Sequence, residues 1–284
     1  MLYLNYNKIT SLKQFYYKCF KATLPMYYIA FIYFFIKIVH GTGKFFYKGN
    51  PFSLLLTMLG IDGYFHYAMP TIPSYWTCVG EWFLGAIIIL YVIYPILLYF
   101  VNKKPITTSI TVSLLFIWVS FFNRFDILQH YNIIYCLFSF FVGILFFKYK
   151  NILDNKYFDL VFSMIFIAFL LVKVPFYYTV NWQIMGITGF VFLYWVGKLL
   201  VKFEPFKILF TQLGMISYPM FLLQHLIIND VLYRHTPVGI KDNVLTLFIT
   251  ILLIVAAAYV LYFINKLVLE SSVYKDFERF ILKS

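Results

Sequence analysis

Two lysines three residues apart, Lys18 and Lys21 in "FYYKCFKATLP", stand just ahead of a long apolar run. At that spacing they share one face of a helix, and two ammonium groups so placed can hold phosphates as point charges. A lone carboxylate, Glu81, sits in the stretch "YWTCVGEWFLGAIIILYVIYPILLYF", which carries no other charge. A histidine, His225 in "LGMISYPMFLLQHLIINDV", lies within a third apolar run. A carboxylate and an imidazole at one depth can form an acid/base pair that moves a proton on and off a hydroxyl near neutral pH. Each residue also has a plainer reading. Glu81 can reach up to interfacial water, His225 can bond Asn229 one turn on, and the lysines can be a simple charge anchor. Trp76 and Trp182 suit an interfacial aromatic belt, or an apolar platform for a sugar ring.

These residues are carried by a chain of 284 residues that is 63% hydrophobic and only 12% charged. A soluble domain carries about 25% charged residues, so the composition is that of a polytopic membrane protein. The formal net charge of +12 would suggest nucleic acid only if it clustered on a soluble face. Here Lys and Arg fall between apolar segments, and no nucleic acid partner is expected. Cys19, Cys78 and Cys136 form no CxxC pair, so neither a disulfide framework nor a metal site is expected. The first twenty residues lack the short apolar core of a cleavable signal.

A span needs about 20 mostly apolar residues. Eight segments qualify: 22–40, 75–100, 106–122, 131–147, 157–175, 182–201, 208–229 and 243–265. The segment 52–66 is short and holds Asp62 between Gly60 and Gly63, which suits a re-entrant or interfacial piece. If it does not cross and the N-terminus is cytoplasmic, sixteen lysines and arginines lie inside. Five lie outside: Lys44, Lys48, Arg124, Arg234 and Lys241. That bias fixes the orientation, with both termini in the cytoplasm. Lys37 and Lys173 near outer helix ends can snorkel. The expected fold is therefore an all-α transmembrane bundle of eight spans in one domain, 1–284. It comprises a basic cytoplasmic arm (1–21), the bundle (22–265) and an amphipathic tail (266–284) lying on the inner membrane surface. In this frame Glu81 lies five residues below Trp76, and Glu81 and His225 share a depth in the outer leaflet.

Three stretches together resemble the integral-membrane acyltransferase 3 family. They are "KCFKATLPMY" at 18–27, "WTCVGEWF" at 76–83 and "GMISYPMFLLQH" at 214–225. The resemblance implies transfer of an acyl group, usually acetyl, from cytoplasmic acyl-CoA to a hydroxyl of a cell-envelope glycan or lipid across a bacterial plasma membrane. It implies that Lys18 and Lys21 hold the CoA phosphates, where the family usually has arginines; lysines keep the charge and lose the bidentate fork. It places Glu81 and His225 as catalytic groups near the acceptor, with Trp76, Ser217 and Tyr218 binding the acceptor, and it implies no metal. The family usually begins with two further helices, the first carrying a histidine thought to be the catalytic base. The expectation is therefore a fragment or a short form that needs an N-terminal helical segment or a partner chain, or that has lost activity. A glycan export or assembly component is the alternative function. Transporters build paired repeats with broken helices meeting at the midplane, whereas here no repeat is found and the polar residues lie towards the two faces, which favours the enzyme.

Overall fold

The computed structural model describes residues 11–44, 53–68, 79, 81–122, 131–153, 155–172 and 178–283. In chain order they form α1 (Leu12–Thr42), α2 (Ser53–Met58), α3 (Asp62–Ala68), α4 (Glu81–Lys103), α5 (Pro105–Phe121) and α6 (Ile133–Lys148). There follow α7 (Lys150–Leu153), α8 (Lys156–Leu171), α9 (Tyr178–Leu200), α10 (Glu204–Arg234), α11 (Gly239–Glu270) and α12 (Ser272–Lys283). No strand occurs among the described residues, and the protein is an all-α polytopic bundle. α1, α4, α9, α10 and α11 are long and apolar enough to cross a bilayer. α5, with 17 residues, is at the short end of the roughly 17–25 residues a span takes, and α6 and α8, with 16 each, fall just under it.

Each expected span falls on one of these eight helices where it is described; residues 173–175 of the fifth, with Lys173, lie outside the described residues. Their starts follow from local chemistry. Asn132 and Asn155 cap α6 and α8 by accepting from the amides of Ile134 and Tyr157, and Pro105 opens α5. α1 begins ten residues before the expected span. Hydropathy marks the bilayer, not the helix, and the basic arm is itself helical from Leu12. Ser11 caps it by accepting from the Gln14 amide at 3.2 Å, and no glycine or proline interrupts it before Pro25.

The described residues divide into two compact units, one within Val92–Phe210, the other within Ile9–Tyr91 and Thr211–Ser284. In the first, side-chain contacts give the helix directions. α8 and α9 run antiparallel: Lys198 Nζ meets Asp159 Oδ2 at 2.6 Å, and further along the Phe166 and Phe192 rings lie 5.4 Å apart. Gly189 lets α9 approach the Phe166 ring, which a Cβ would meet at 2.9 Å. α5 and α6 are also antiparallel, with Phe116 stacked on Phe138 at 4.3 Å and the Tyr135 hydroxyl donating to Ser120 Oγ at 2.7 Å. α6 runs parallel to α9, through Ser139–Gln183 at 3.0 Å and Phe146–Tyr194 at 5.3 Å. It also runs parallel to the later part of α4, through Tyr94–Phe140 at 5.8 Å and Lys148 Nζ donating to the Val101 carbonyl at 2.7 Å.

In the second unit α1 and α10 run parallel. The Tyr218 hydroxyl donates to the Thr23 carbonyl at 3.0 Å, and further along both helices Lys37 pairs with Asp230. α11 packs along α1 in the opposite sense, since α12, which follows it, returns to the start of α1. α4 is antiparallel to α10. Its Phe83 ring meets Phe221 at 5.5 Å, and eight residues later Tyr91 lies near Tyr218 and Cys19. In both units the directions alternate as eight crossings require when 53–68 does not cross.

α2 and α3 form a helical hairpin against α1 and α4. The chain turns at Gly60, where φ is 70°, a left-handed conformation that glycine adopts without strain. A Cβ there would meet the side chains of Ile88, Leu24 and Leu84. Tyr27 donates to the Thr57 carbonyl at 2.9 Å, and the Thr57 hydroxyl donates to the buried Asp62 at 3.1 Å. Gly85 is needed for the close approach, because an added Cβ would stand 2.5 Å from the Cβ of Tyr64.

Candidate functional site

The second unit holds the described residues among those the sequence points to: Lys18, Lys21, Glu81, Ser217, Tyr218 and His225. Trp76 lies outside the described residues, and so does the stretch 75–78 that was expected to begin the second span. The described helix opens on Glu81 itself. Two residues on, Phe83 meets Phe221, and four residues after Phe221 comes His225. Because α4 and α10 are antiparallel, Glu81 and His225 lie on the same side of that ring contact. At 1.5 Å per residue their backbone levels agree within about 3 Å. The helices are held together by Leu84 and Ile88 of α4 and Leu222, Leu223 and Leu226 of α10, all buried in one cluster with Met26, Tyr27 and Ala30 of α1. Nδ1 of His225 is shut off from solvent. Glu81 and His225 thus stand on touching helices with their backbones at one level.

Ser217 and Tyr218 lie two turns lower on α10. Ser217 is exposed and donates to the Gly214 carbonyl at 3.0 Å, whereas Tyr218 is turned inward to Thr23 and stacks on Phe221 at 6.3 Å. The structure therefore separates this pair from His225 by about 10 Å along the helix.

The lysines stand lower still, at the start of α1. Lys18 is exposed. Lys21 is engaged: its Nζ donates to both carboxylate oxygens of Glu278 in α12, at 2.7 and 2.8 Å. The same ammonium lies 5.6 Å from the Tyr17 ring centre and 5.5 Å from that of Tyr274, which is cation–π range. Tyr17 and Tyr274 are brought against Glu278 from the two helices. The Lys21 ammonium holds the Glu278 carboxyl below its ordinary range. Burial beside Tyr274 and Glu278 pushes the Tyr17 hydroxyl well above its own.

A family model described as an acyltransferase domain, that of the acyltransferase 3 family, matches residues 1–263. The chain belongs to that family. No curated protein and no solved structure matches it.

The acyltransferase carries features that sequence reasoning missed. The Lys21–Glu278 pair joins residues 257 apart, and no spacing announces it; the only signal was that Tyr274 and Glu278 are four apart on an amphipathic segment. Asp62 was noticed for its position, but not as a buried carboxylate bonded to Thr57. Lys37, expected to snorkel, is 40% exposed and also pairs with Asp230, a partner that no spacing in the sequence announces. Among the described residues of the acyltransferase no group of three or more His, Cys, Asp and Glu side chains is arranged to hold a metal ion.

Proposed function

We propose that this membrane acyltransferase moves an acyl group, acetyl in the simplest case, from cytoplasmic acyl-CoA to a hydroxyl of a polysaccharide or glycolipid outside a bacterial plasma membrane. The observation that supports it best is the axial separation of two polar levels in one helical unit. Tyr218 meets Thr23, two residues beyond Lys21, and His225 lies seven residues beyond Tyr218. The imidazole level is therefore about 13 Å from the lysine level along the axis. In this reading Lys18 and Lys21 hold the donor phosphates, and the flexible arm of acyl-CoA carries its thioester inward. Glu81 and His225 serve the other end. His225 takes the proton of the acceptor hydroxyl as its oxygen attacks the thioester carbonyl; the carbon–sulfur bond then breaks and CoA leaves as the thiolate. Glu81 orients the imidazole or the hydroxyl. Trp76 meets the acceptor from outside, whereas Ser217 and Tyr218, two turns below His225 towards the lysines, border the path between the two levels.

The test is incorporation of labelled acetyl from acetyl-CoA into envelope glycan by membranes in which the wild-type chain is active. Glu81→Gln keeps shape and removes charge, and His225→Gln removes the base. Each should lower transfer by about 100-fold or more. The double substitution should cost little more than either alone, as groups acting together do. Full transfer by Glu81→Gln would return that residue to an interfacial role.

A further inference from the structure

The cluster around Lys21 has more partners than an anchoring lysine needs. The ammonium is gripped by both oxygens of Glu278, at 2.7 and 2.8 Å, between the faces of Tyr17 and Tyr274. A carboxylate pair of oxygens on an ammonium copies what two oxygens of a phosphate would do there. The pair is only partly buried, with side chains 31% and 27% exposed, so an anion arriving from solvent can reach it. α12, which bears Glu278, is joined to α11 through Ser271 alone, so it can swing on a short hinge. Its Val273, Phe277 and Phe280 are exposed, which suits a helix resting on a bilayer surface.

We propose that Glu278 is a positioning residue of the donor site. In the empty protein it holds Lys21 in place of a donor phosphate, and it yields Lys21 when the donor binds, releasing the start of α1 from α12. This rests on the reading of Lys18 and Lys21 as the phosphate-holding pair. Lys18, exposed three residues away, makes the first contact with the incoming anion, and exchange of partners on Lys21 completes it.

The experiment uses the full chain in detergent or nanodiscs, with coenzyme A as the probe and calorimetry as the readout. Glu278→Gln removes the competing charge, so coenzyme A should bind about fivefold more tightly. Glu278→Asp should return affinity towards the wild-type value. In a transfer assay Glu278→Gln should lower the KM for the donor and leave kcat unchanged, a split that loss of a merely structural contact would not give. The wild type offers a second readout that needs no variant. Saturating coenzyme A should speed tryptic cleavage at Lys275 and Arg279 by freeing α12. Unchanged or weaker binding by Glu278→Gln, or cleavage indifferent to coenzyme A, would overturn the exchange. Lys18→Gln with Lys21→Gln separates the two readings. If that variant binds coenzyme A as the wild type does, the donor-site assignment itself fails, and the role of Glu278 fails with it. If it loses binding while Glu278→Gln changes nothing, only the exchange fails.

Discussion

Both compact units contain an ion pair between a lysine and a carboxylate from different helices, and the two pairs are built differently. In the first unit Asp159 of α8 is 4% exposed and meets Lys198 of α9 at 2.6 Å, with the Lys198 ammonium 4.8 Å from the Tyr194 ring centre. In the second, Glu278 is 27% exposed and meets Lys21 at 2.7 Å between two tyrosine rings. The distances are alike, so burial makes the difference. A carboxylate sealed between helices has no other partner to go to, and losing its lysine would leave an uncompensated charge. A carboxylate open to solvent can exchange its lysine for water, and the lysine can exchange it for another anion. The first pair is suited to pin two helices, the second to be opened.

The largest effect should come from breaking the sealed pair. Asp159→Asn leaves the Lys198 ammonium facing a neutral amide. Loss of one partner of a buried pair costs about 3–5 kcal/mol, and about 3 is expected here because Lys198 can snorkel towards solvent. Thermal unfolding of the detergent-solubilised chain should fall accordingly. Lys198→Met with Asp159→Leu should recover most of that loss, since an apolar pair of similar volume can replace a buried ion pair. If Asp159→Asn melts like the wild type, the contrast between the two pairs collapses.

The open pair should respond to pH. The Glu278 carboxyl is held low, first by the hydrogen bond from Lys21. A lowered folded pKa means that the clasp's contribution is fully present above the ordinary glutamate value of 4.5. It is lost as pH falls through the lower folded value. Hydrogen exchange of the amides in 272–283 should therefore stay slow, relative to intrinsic rates, through the ordinary glutamate range and quicken only below it. In Lys21→Met the transition should move up to the ordinary value. A profile identical in the two proteins would show that Lys21 does not hold Glu278.

The contrast also marks what could be read in the chain beforehand. The eight apolar helices and the shorter segment 52–66 were legible because a bilayer imposes length and apolarity on each span. The loop charges then fix the parity. The shared level of Glu81 and His225 was legible by counting residues from helix ends, although their helices' contact through Phe83 and Phe221 was not. Asp159–Lys198 and Lys21–Glu278 were illegible for one reason. A lysine and a carboxylate attract at any sequence separation, so pairing between remote helices leaves no periodic trace. The start of α1 at Leu12 was missed because hydropathy follows the membrane, and a polar helical turn outside it looks like any basic arm.

The smallest effect belongs to the pair at the far end of α1. Lys37 and Asp230 join α1 to α10 with side chains 40% and 49% exposed, more open than either pair above. Such a pair competes with water and salt at every moment, and exposed pairs contribute about 0.2–1 kcal/mol. Asp230→Asn should therefore shift thermal unfolding by no more than that range allows, and the shift should vanish in high salt. The substitution also probes the level of His225, which lies five residues before Asp230 on the same helix. Were Asp230 only a tether, transfer by Asp230→Asn should match the wild type while His225→Gln loses it. A stability loss comparable to that of Asp159→Asn would mean that exposure does not rank these pairs, and the inference that Glu278 is built to be released would lose its ground.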